Sequence, residues 1–313
     1  MQINRFEAAT PLHVLVLTSP KAGSGSGRDE IPRLEGQLAK QGIPCEIIDS
    51  IDRMRARLQE GQPSAQTVLI AAGGDGTLSL AASLMMEAEQ SQTNPQRQSK
   101  TLLLPMPLGT ENLVAREYGH SHDAEEVMAT LRSGVVQEMD MGLCDERVFL
   151  IMASAGFDAE VVRWLHLTRR GHISRITYLR PILRSFFSFQ FPPIHVSVDG
   201  QSQGVCAWAM AFNLPQYGGD LRIEPDADGS DGELDVILFR KAGIWSGLKY
   251  VWKIARGKHL DDPTVTRLRG RQVSFESDQR VPLQIDGDCQ GELPTHLQVL
   301  PKAFSLVLPA SAA

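Results

Sequence analysis

Residues 73–77 read Gly-Gly-Asp-Gly-Thr, directly behind the apolar run Thr67 to Ala72. Successive glycines after a strand let the backbone approach a phosphate chain closely, and the helix that follows offers unpaired N–H groups and the positive end of its dipole. Asp75 adds a carboxylate within reach of a magnesium ion, and Thr77 can cap the helix while its hydroxyl faces the ligand. Gly73, Gly74, Asp75, Gly76 and Thr77 are thus expected to bind nucleotide phosphates, with Asp75 also a metal-ligand candidate. A simple turn with an aspartate cap is the competing reading.

Two more glycine turns accompany this one. In Ser19 to Gly27 (SPKAGSGSG), Lys21 and the glycines Gly23, Gly25 and Gly27 can cradle phosphates. The run is not a P-loop, because GxxxxGK[ST] is absent, and GxGxxG fails because Arg28 holds the last glycine position. Flexible surface is the alternative there. The third turn is PLGTEN, Pro107 to Asn112.

Other clusters exclude chemistry. The acidic run Glu224, Asp226, Asp228, Asp231, Glu233 and Asp235 invites a calcium reading, but an EF-hand loop starting at Asp226 would need glycine at Asp231 and glutamate at Ile237. The eight histidines show no HExxH, and the four cysteines form no CxxC pair. Neither a zinc site nor a disulfide framework is indicated, and the thiols are read as reduced, in a cytosolic protein.

The elements that position these residues follow from periodicity. Three times a β-rich run leads through a glycine turn into a helical pattern: His13 to Thr18 before Ile31 to Gln41, Thr67 to Ala72 before Leu78 to Met86, and Leu102 to Pro105 before a helix toward Tyr118. Such alternation predicts a parallel sheet covered by helices, with ligands at the carboxyl ends of the strands. The Gln- and Ser-rich stretch Glu87 to Lys100 reads as a surface loop. From about Asp140 the runs Val148 to Ser154, Ile194 to Val198, Val205 to Asn213, Leu234 to Arg240, Arg271 to Glu276 and Leu297 to Val299 lie between Gly, Asp and Pro turns, which predicts a mainly antiparallel second domain.

A length of 313 residues favours two domains, and 42% hydrophobic with 22% charged residues is an ordinary globular composition. A net charge of -6 argues against a nucleic-acid partner, which would need a basic face. No run approaches the roughly 20 apolar residues of a membrane span, so contact with lipid is expected to be peripheral.

The motifs together resemble the diacylglycerol kinase catalytic-domain family, which includes bacterial lipid kinases and sphingosine kinases; GGDGT alone also occurs in NAD kinases. Ser19 to Gly27 looks like the family's NPxAGxG opening, and PLGTEN with Ala115 and Arg116 looks like its PxGTxNxxAR segment. SAGFDAEVV at Ser154 to Val162 is similar to its GxDAxV block. Asn213, Gly218, Gly219, Pro225 and DGELDV at Asp231 to Val236 fall in the family's order, and QIDGD at Gln284 to Asp288 stands where the family has IDGE. The sequence departs from the pattern at Ser19, Ser79, Leu80, Glu111 and Leu113, all around the nucleotide site.

The resemblance implies a Rossmann-like α/β domain carrying the GGDGT loop over residues 1–139, to which the tail 303–313 returns, and a C-terminal antiparallel β-sandwich domain for the acceptor over 140–302. It implies ATP and Mg2+, and transfer of the γ-phosphoryl group to a hydroxyl of a diacylglycerol-like lipid. An NAD kinase-like enzyme and a catalytically weak nucleotide- or lipid-binding regulator are the rival readings. Ser19, Lys21, Gly23, Gly25, Gly109, Thr110 and Asn112 join the nucleotide-binding set, Asn112 as a partner of adenine or ribose and Thr110 alternatively as a helix cap. By family position Asp231 is the candidate base, with Glu233 beside it. Asp158 and Asp286 are secondary metal-ligand candidates, Asp286 alternatively a hairpin turn.

From Arg163 to Gln190 there is no acidic residue, while arginines interleave with Trp164, Leu165, Tyr178, Phe186 and Phe187. This basic amphipathic stretch, Arg163 to Phe187, is expected to meet the lipid substrate at a membrane surface, or to pack on its own domain with solvated arginines. The expected location is cytoplasmic and peripherally membrane-associated, with a homodimer allowed.

Overall fold

The computed structural model describes residues 4–5, 12–18, 27–60, 65–91, 100–168, 184–185, 188–218 and 221–312. The chain forms two units, residues 1–139 with 302–313, and residues 140–301.

In the first unit the strands run in the order Cys45–Ile48, Leu12–Thr18, Gln66–Gly73, Leu102–Pro107 and the last part of Thr295–Leu308, all parallel. Their residues are buried almost without interruption, as both-sided cover by helices requires. Val14, Val16, Val68, Ile70, Leu104 and Met106 pack with Leu34 and Leu38 of the helix Gly27–Lys40 and with Val127, Met128 and Leu131 of the helix Ala124–Ser133. The intervening Leu15, Leu17, Leu69 and Leu103 are equally buried, and the helices Ile51–Glu60 and Asp75–Ser91 pack on each other. Strand order reverses between Leu12–Thr18 and Gln66–Gly73. In an open α/β sheet such a reversal leaves a crevice at the carboxyl ends of the two strands.

The second unit is a β-sandwich. One sheet runs Val265–Gly270, Leu234–Phe239, Trp208–Phe212, Met152–Gly156, Pro282–Ile285 and Asp288–Glu292, antiparallel throughout. The other pairs Gln201–Cys206, Ile194–Val198, Gln272–Glu276 and the first residues of Thr295–Leu308. Alternate residues from the two inner faces fill the space between: Ala153, Ala209, Ala211, Val236 and Leu238 from one, Val196, Val198, Val273, Phe275 and Leu297 from the other.

Several boundaries differ from the sequence expectation. The helix after GGDGT starts at Asp75 and continues to Ser91, so Glu87 to Ser91 is helical and not loop; Ala88 is buried and Glu87 pairs with Arg55 at 2.8 Å. The run Val205 to Asn213 divides at Ala207 into strands of two different sheets, where the Ala207 N–H bonds the Phe239 carbonyl at 2.9 Å. The run Val148 to Ser154 likewise divides, into Arg147–Phe149 and Met152–Gly156. The helix Ile244–Ile254 and the strands Val265–Gly270 and Pro282–Ile285 were not expected.

Candidate functional site

The GGDGT and PLGTEN loops meet in the first unit. Gly73 ends its strand and Gly74 is the bend before the helix Asp75–Ser91, whose first N–H groups turn back to the Gly74 carbonyl (Thr77 at 2.9 Å, Leu78 at 3.1 Å). The Leu108 N–H donates to the Gly73 carbonyl at 2.9 Å. Gly74 and Gly109 then touch backbone to backbone. A Cβ on Gly109 would stand 2.5 Å from the Gly74 Cα, so position 109 needs glycine for the loops to close, whereas a Cβ on Gly74 would stand 3.3 Å from the Gly109 Cα. At Gly73 a Cβ would overlap the Thr77 side chain.

One side chain ties the two loops together and another braces the second loop. Asn112, in the left-handed region at φ 50°, accepts from the Gly109 N–H at 3.0 Å and donates to the Gly109 carbonyl at 2.9 Å. Its amide therefore braces the turn, a role the sequence did not predict. Asp75 accepts from the N–H groups of Leu113 at 3.0 Å and Val114 at 3.2 Å. It thus supplies the acceptors that begin the helix Leu113–Glu117, whose N-cap residue Asn112 makes no side-chain cap bond. Thr110 is exposed and is not that cap, and Thr77 lies inside the first turn of its own helix instead of capping it. Burial raises the Asp75 pKa most; the Leu113 and Val114 N–H groups lower it, and the Glu111 charge raises it further. Ser19, Lys21, Gly23 and Gly25 lie outside the described residues.

In the second unit the expected acidic run closes on two arginines. Arg267 and Arg269, alternate residues of the strand Val265–Gly270, present their guanidinium groups to the carboxylates. Arg269 pairs with Asp231, with Glu233 at 3.4 Å and with Asp235 at 3.2 Å. Arg267 pairs with Glu224 and reaches Asp226 at 2.8 Å. Asp231 also accepts from the Glu233 N–H at 3.0 Å, so both of its oxygens are engaged. The turn is pinned from beneath by buried Asp140, which accepts from the Gly232 N–H at 2.7 Å. Burial pushes the Asp235 carboxyl up to about 6, with Arg269 opposing and the Glu224 and Asp231 charges adding to the rise.

Asp158 and Asp286, expected as secondary metal ligands, are each engaged by hydrogen-bond donors. Asp158 is buried and accepts from the Ser154 hydroxyl at 2.5 Å, from the Gln284 amide at 3.0 Å and from the Tyr217 hydroxyl. Burial raises its pKa against those hydrogen bonds. Asp286, in the left-handed region at φ 47°, accepts from the N–H groups of Leu150, Ile151 and Met152, each at 2.9 Å. It thereby satisfies the backbone donors freed where the run Val148 to Ser154 divides. Among the described residues no three His, Cys, Asp or Glu side chains group as a metal would require. Sequence reasoning missed Arg267, Arg269 and Gln284; the period-2 pattern of Arg267 and Arg269 was the available signal.

Comparison with known proteins agrees with the two-unit division. Residues 13–144 match the model of the diacylglycerol kinase catalytic domain, and residues 151–308 that of the YegS C-terminal NAD kinase beta sandwich-like domain. The chain belongs to the diacylglycerol kinase catalytic-domain family. Within that family it is 26% identical over 330 residues to the diacylglycerol kinase of Mycobacterium tuberculosis H37Rv, covering 98% of each chain. It is 23% identical over 248 residues to that of Bacillus subtilis, covering 79% of each. A crystal structure of a diacylglycerol kinase from Bacillus anthracis superposes with a TM-score of 0.71 at 19% identity, over 98% of this chain and all of the other, and shares the fold. Membership of this family supports a lipid kinase. Among the described residues no helix is long and apolar enough to cross a membrane.

Proposed function

We propose that the chain is an ATP-dependent kinase that transfers the γ-phosphoryl group to a hydroxyl of a diacylglycerol-like lipid. The observation that carries the reading is the closure of Gly74 on Gly109, two glycine turns joined by Asp75 in a chain of this family. Close-packed glycine backbone at the start of a helix suits a triphosphate, because no side chain holds the phosphate oxygens away from N–H donors.

A magnesium ion fits the first unit. Mg2+ is held by one or two carboxylates plus phosphate oxygens and does not need a preformed cage of protein ligands. Asp75 is a carboxylate whose charged form is disfavoured by burial and by Glu111, and a cation would relieve both. Asp75 and Glu111 are the residues proposed to hold it, and it would supply neutralisation of the phosphate charge.

In the transfer, the lipid oxygen forms a bond to the γ-phosphorus while the bond to the bridging β–γ oxygen breaks, and ADP leaves. The hydroxyl proton passes to a carboxylate, for which Asp231 is proposed with Glu233 beside it. Arg269 must first release Asp231, and Glu233 and Asp235 remain to hold the guanidinium when it does. General-base assistance of this kind is worth about 10² to 10⁴-fold in rate.

The test is a panel of acceptors with γ-labelled ATP and magnesium: diacylglycerol, monoacylglycerol, phosphatidylglycerol, a sphingoid base and ceramide in micelles, and NAD in solution. Label is expected in a lipid. Label in NAD with none in any lipid would reverse the reading, and label in no acceptor would leave a nucleotide- or lipid-binding regulator.

A further inference from the structure

The helix Ile244–Ile254 has apolar residues on two faces, of which only one is used in packing. Gly247, Tyr250 and Ile254 are buried; the Tyr250 ring packs on Phe239 at 4.9 Å, and its hydroxyl meets Thr264 at 2.8 Å and the Lys241 N–H at 3.0 Å. On the other side Ile244, Trp245, Leu248 and Trp252 are exposed, Trp245 at 85% and Trp252 at 54%. At about 100° per residue these four fall on one side of the helix, well away from Tyr250 and Ile254. Tryptophan is costly to leave in water, and two on one short helix beside leucine and isoleucine form a patch that calls for an occupant.

Charge selects the occupant. From Arg240 to Lys258 there is no acidic residue, while Lys241, Lys249, Lys253, Arg256 and Lys258 surround the stripe. Lys249 and Lys253 also pair with buried Asp262, at 2.7 and 2.9 Å, which fixes the helix to the strand region behind it. Lys241, Arg256 and Lys258 are exposed, and Arg256 lies over the Trp252 ring at 4.1 Å. Exposed tryptophan beside lysine and arginine suits the headgroup boundary of an anionic bilayer, where an indole has an apolar body and a polar N–H to place.

We infer that this helix face is a membrane-docking surface, which seats Ile244, Trp245, Leu248 and Trp252 at the headgroup boundary of a bilayer containing anionic phospholipid. It is distinct from the stretch Arg163 to Phe187 expected from the sequence to meet lipid, of which residues 169–183 and 186–187 lie outside the described residues, and the choice of a bilayer as occupant rests on the lipid-kinase reading. The stripe provides apolar burial, and the lysines and arginines provide an attraction that weakens as salt is raised.

The test uses the full chain with vesicles of phosphatidylcholine, with and without phosphatidylglycerol, in the absence of ATP. The wild type is expected to cosediment with the phosphatidylglycerol vesicles, with a blue shift of its tryptophan emission, and to bind phosphatidylcholine alone far more weakly. Trp245→Ser/Trp252→Ser is expected to bind at least tenfold more weakly. Lys241→Glu/Arg256→Glu should also lose binding while keeping the wild-type circular dichroism. Wild-type binding by both folded variants, or no vesicle binding by the wild type, would overturn the inference. A dimer that Trp245→Ser/Trp252→Ser converts to monomer without loss of vesicle binding would overturn it too, making the face a contact between copies. Transfer to a dissolved short-chain diacylglycerol is measured alongside. Transfer without vesicle binding removes the docking surface alone, whereas vesicle binding without transfer supports the surface and removes the kinase reading.

Discussion

Alanine at Gly109 tests the closed pair of glycine turns. An added Cβ would lie 2.5 Å from the Gly74 Cα, 2.7 Å from the Asn112 Oδ1 and 3.1 Å from the Gly74 N. Carbon atoms in favourable contact sit about 3.5–4.0 Å apart, so the two loops must separate by about 1 Å. The Leu108 to Gly73 hydrogen bond and the Asp75 bonds to Leu113 and Val114 resist that movement. Overpacking of this kind costs about 1–3 kcal/mol, to be read as a lower urea midpoint at unchanged slope. Displacing the phosphate-facing N–H groups by such a distance should weaken MgATP binding by about tenfold or more in a calorimetric titration, roughly 1.4 kcal/mol. Gly36→Ala is the control: it lies in the helix Gly27–Lys40 with nothing within 4 Å of the new Cβ, and should add about 0.5–1 kcal/mol of stability without changing nucleotide affinity. Unchanged MgATP affinity in a folded Gly109→Ala protein would refute the idea that the closed loops form the phosphate cradle.

Two further changes probe the carboxylates. Asp235 has a folded pKa of about 6 against an ordinary 3.8, so its contribution to stability is present below about pH 3.8 and is lost as pH rises through 6. Asp235→Asn abolishes that titration. Relative to wild type, its unfolding free energy should therefore rise by about 2–3 kcal/mol between pH 4 and pH 8, a trend that parallel urea curves at the two pH values would exclude. Asp75→Ala leaves the Leu113 and Val114 N–H groups without their acceptor, which should cost about 1–3 kcal/mol, and should also abolish the enhancement of ATP binding by magnesium. Retained magnesium dependence would remove Asp75 from the metal role.

The parallel sheet was legible because buried strands such as Gln66–Gly73 read as unbroken apolar runs, a signal carried within a few residues. The glycine turns were legible for the same reason. What each side chain does there was not, because it depends on partners far along the chain: Asp75 is bonded to Leu113 and Val114, and Asp286 to Leu150 through Met152. Aspartate beside glycine looks alike whether it is a ligand, a cap or a turn. Arg267 and Arg269 were overlooked because a charged residue on a strand gives no sign of its partner until the register with Leu234–Phe239 is fixed. The division of Val205 to Asn213 was hidden because each half alternates as a strand should, and only pairing assigns the halves to different sheets. The helix Ile244–Ile254 lay outside the motifs, and its exposed tryptophans were indistinguishable from core residues until burial was known.

Asp231→Asn and Asp286→Asn, assayed side by side for MgATP binding and for phosphoryl transfer to diacylglycerol, bear most directly on how the chain works. Asp231→Asn is expected to bind MgATP as the wild type does while turnover falls by about 10² to 10⁴-fold. Near-wild-type turnover in Asp231→Asn would contradict it. Near-wild-type turnover in Asp231→Asn beside lost turnover in a folded Asp286→Asn protein would remove Asp231 as the proton acceptor.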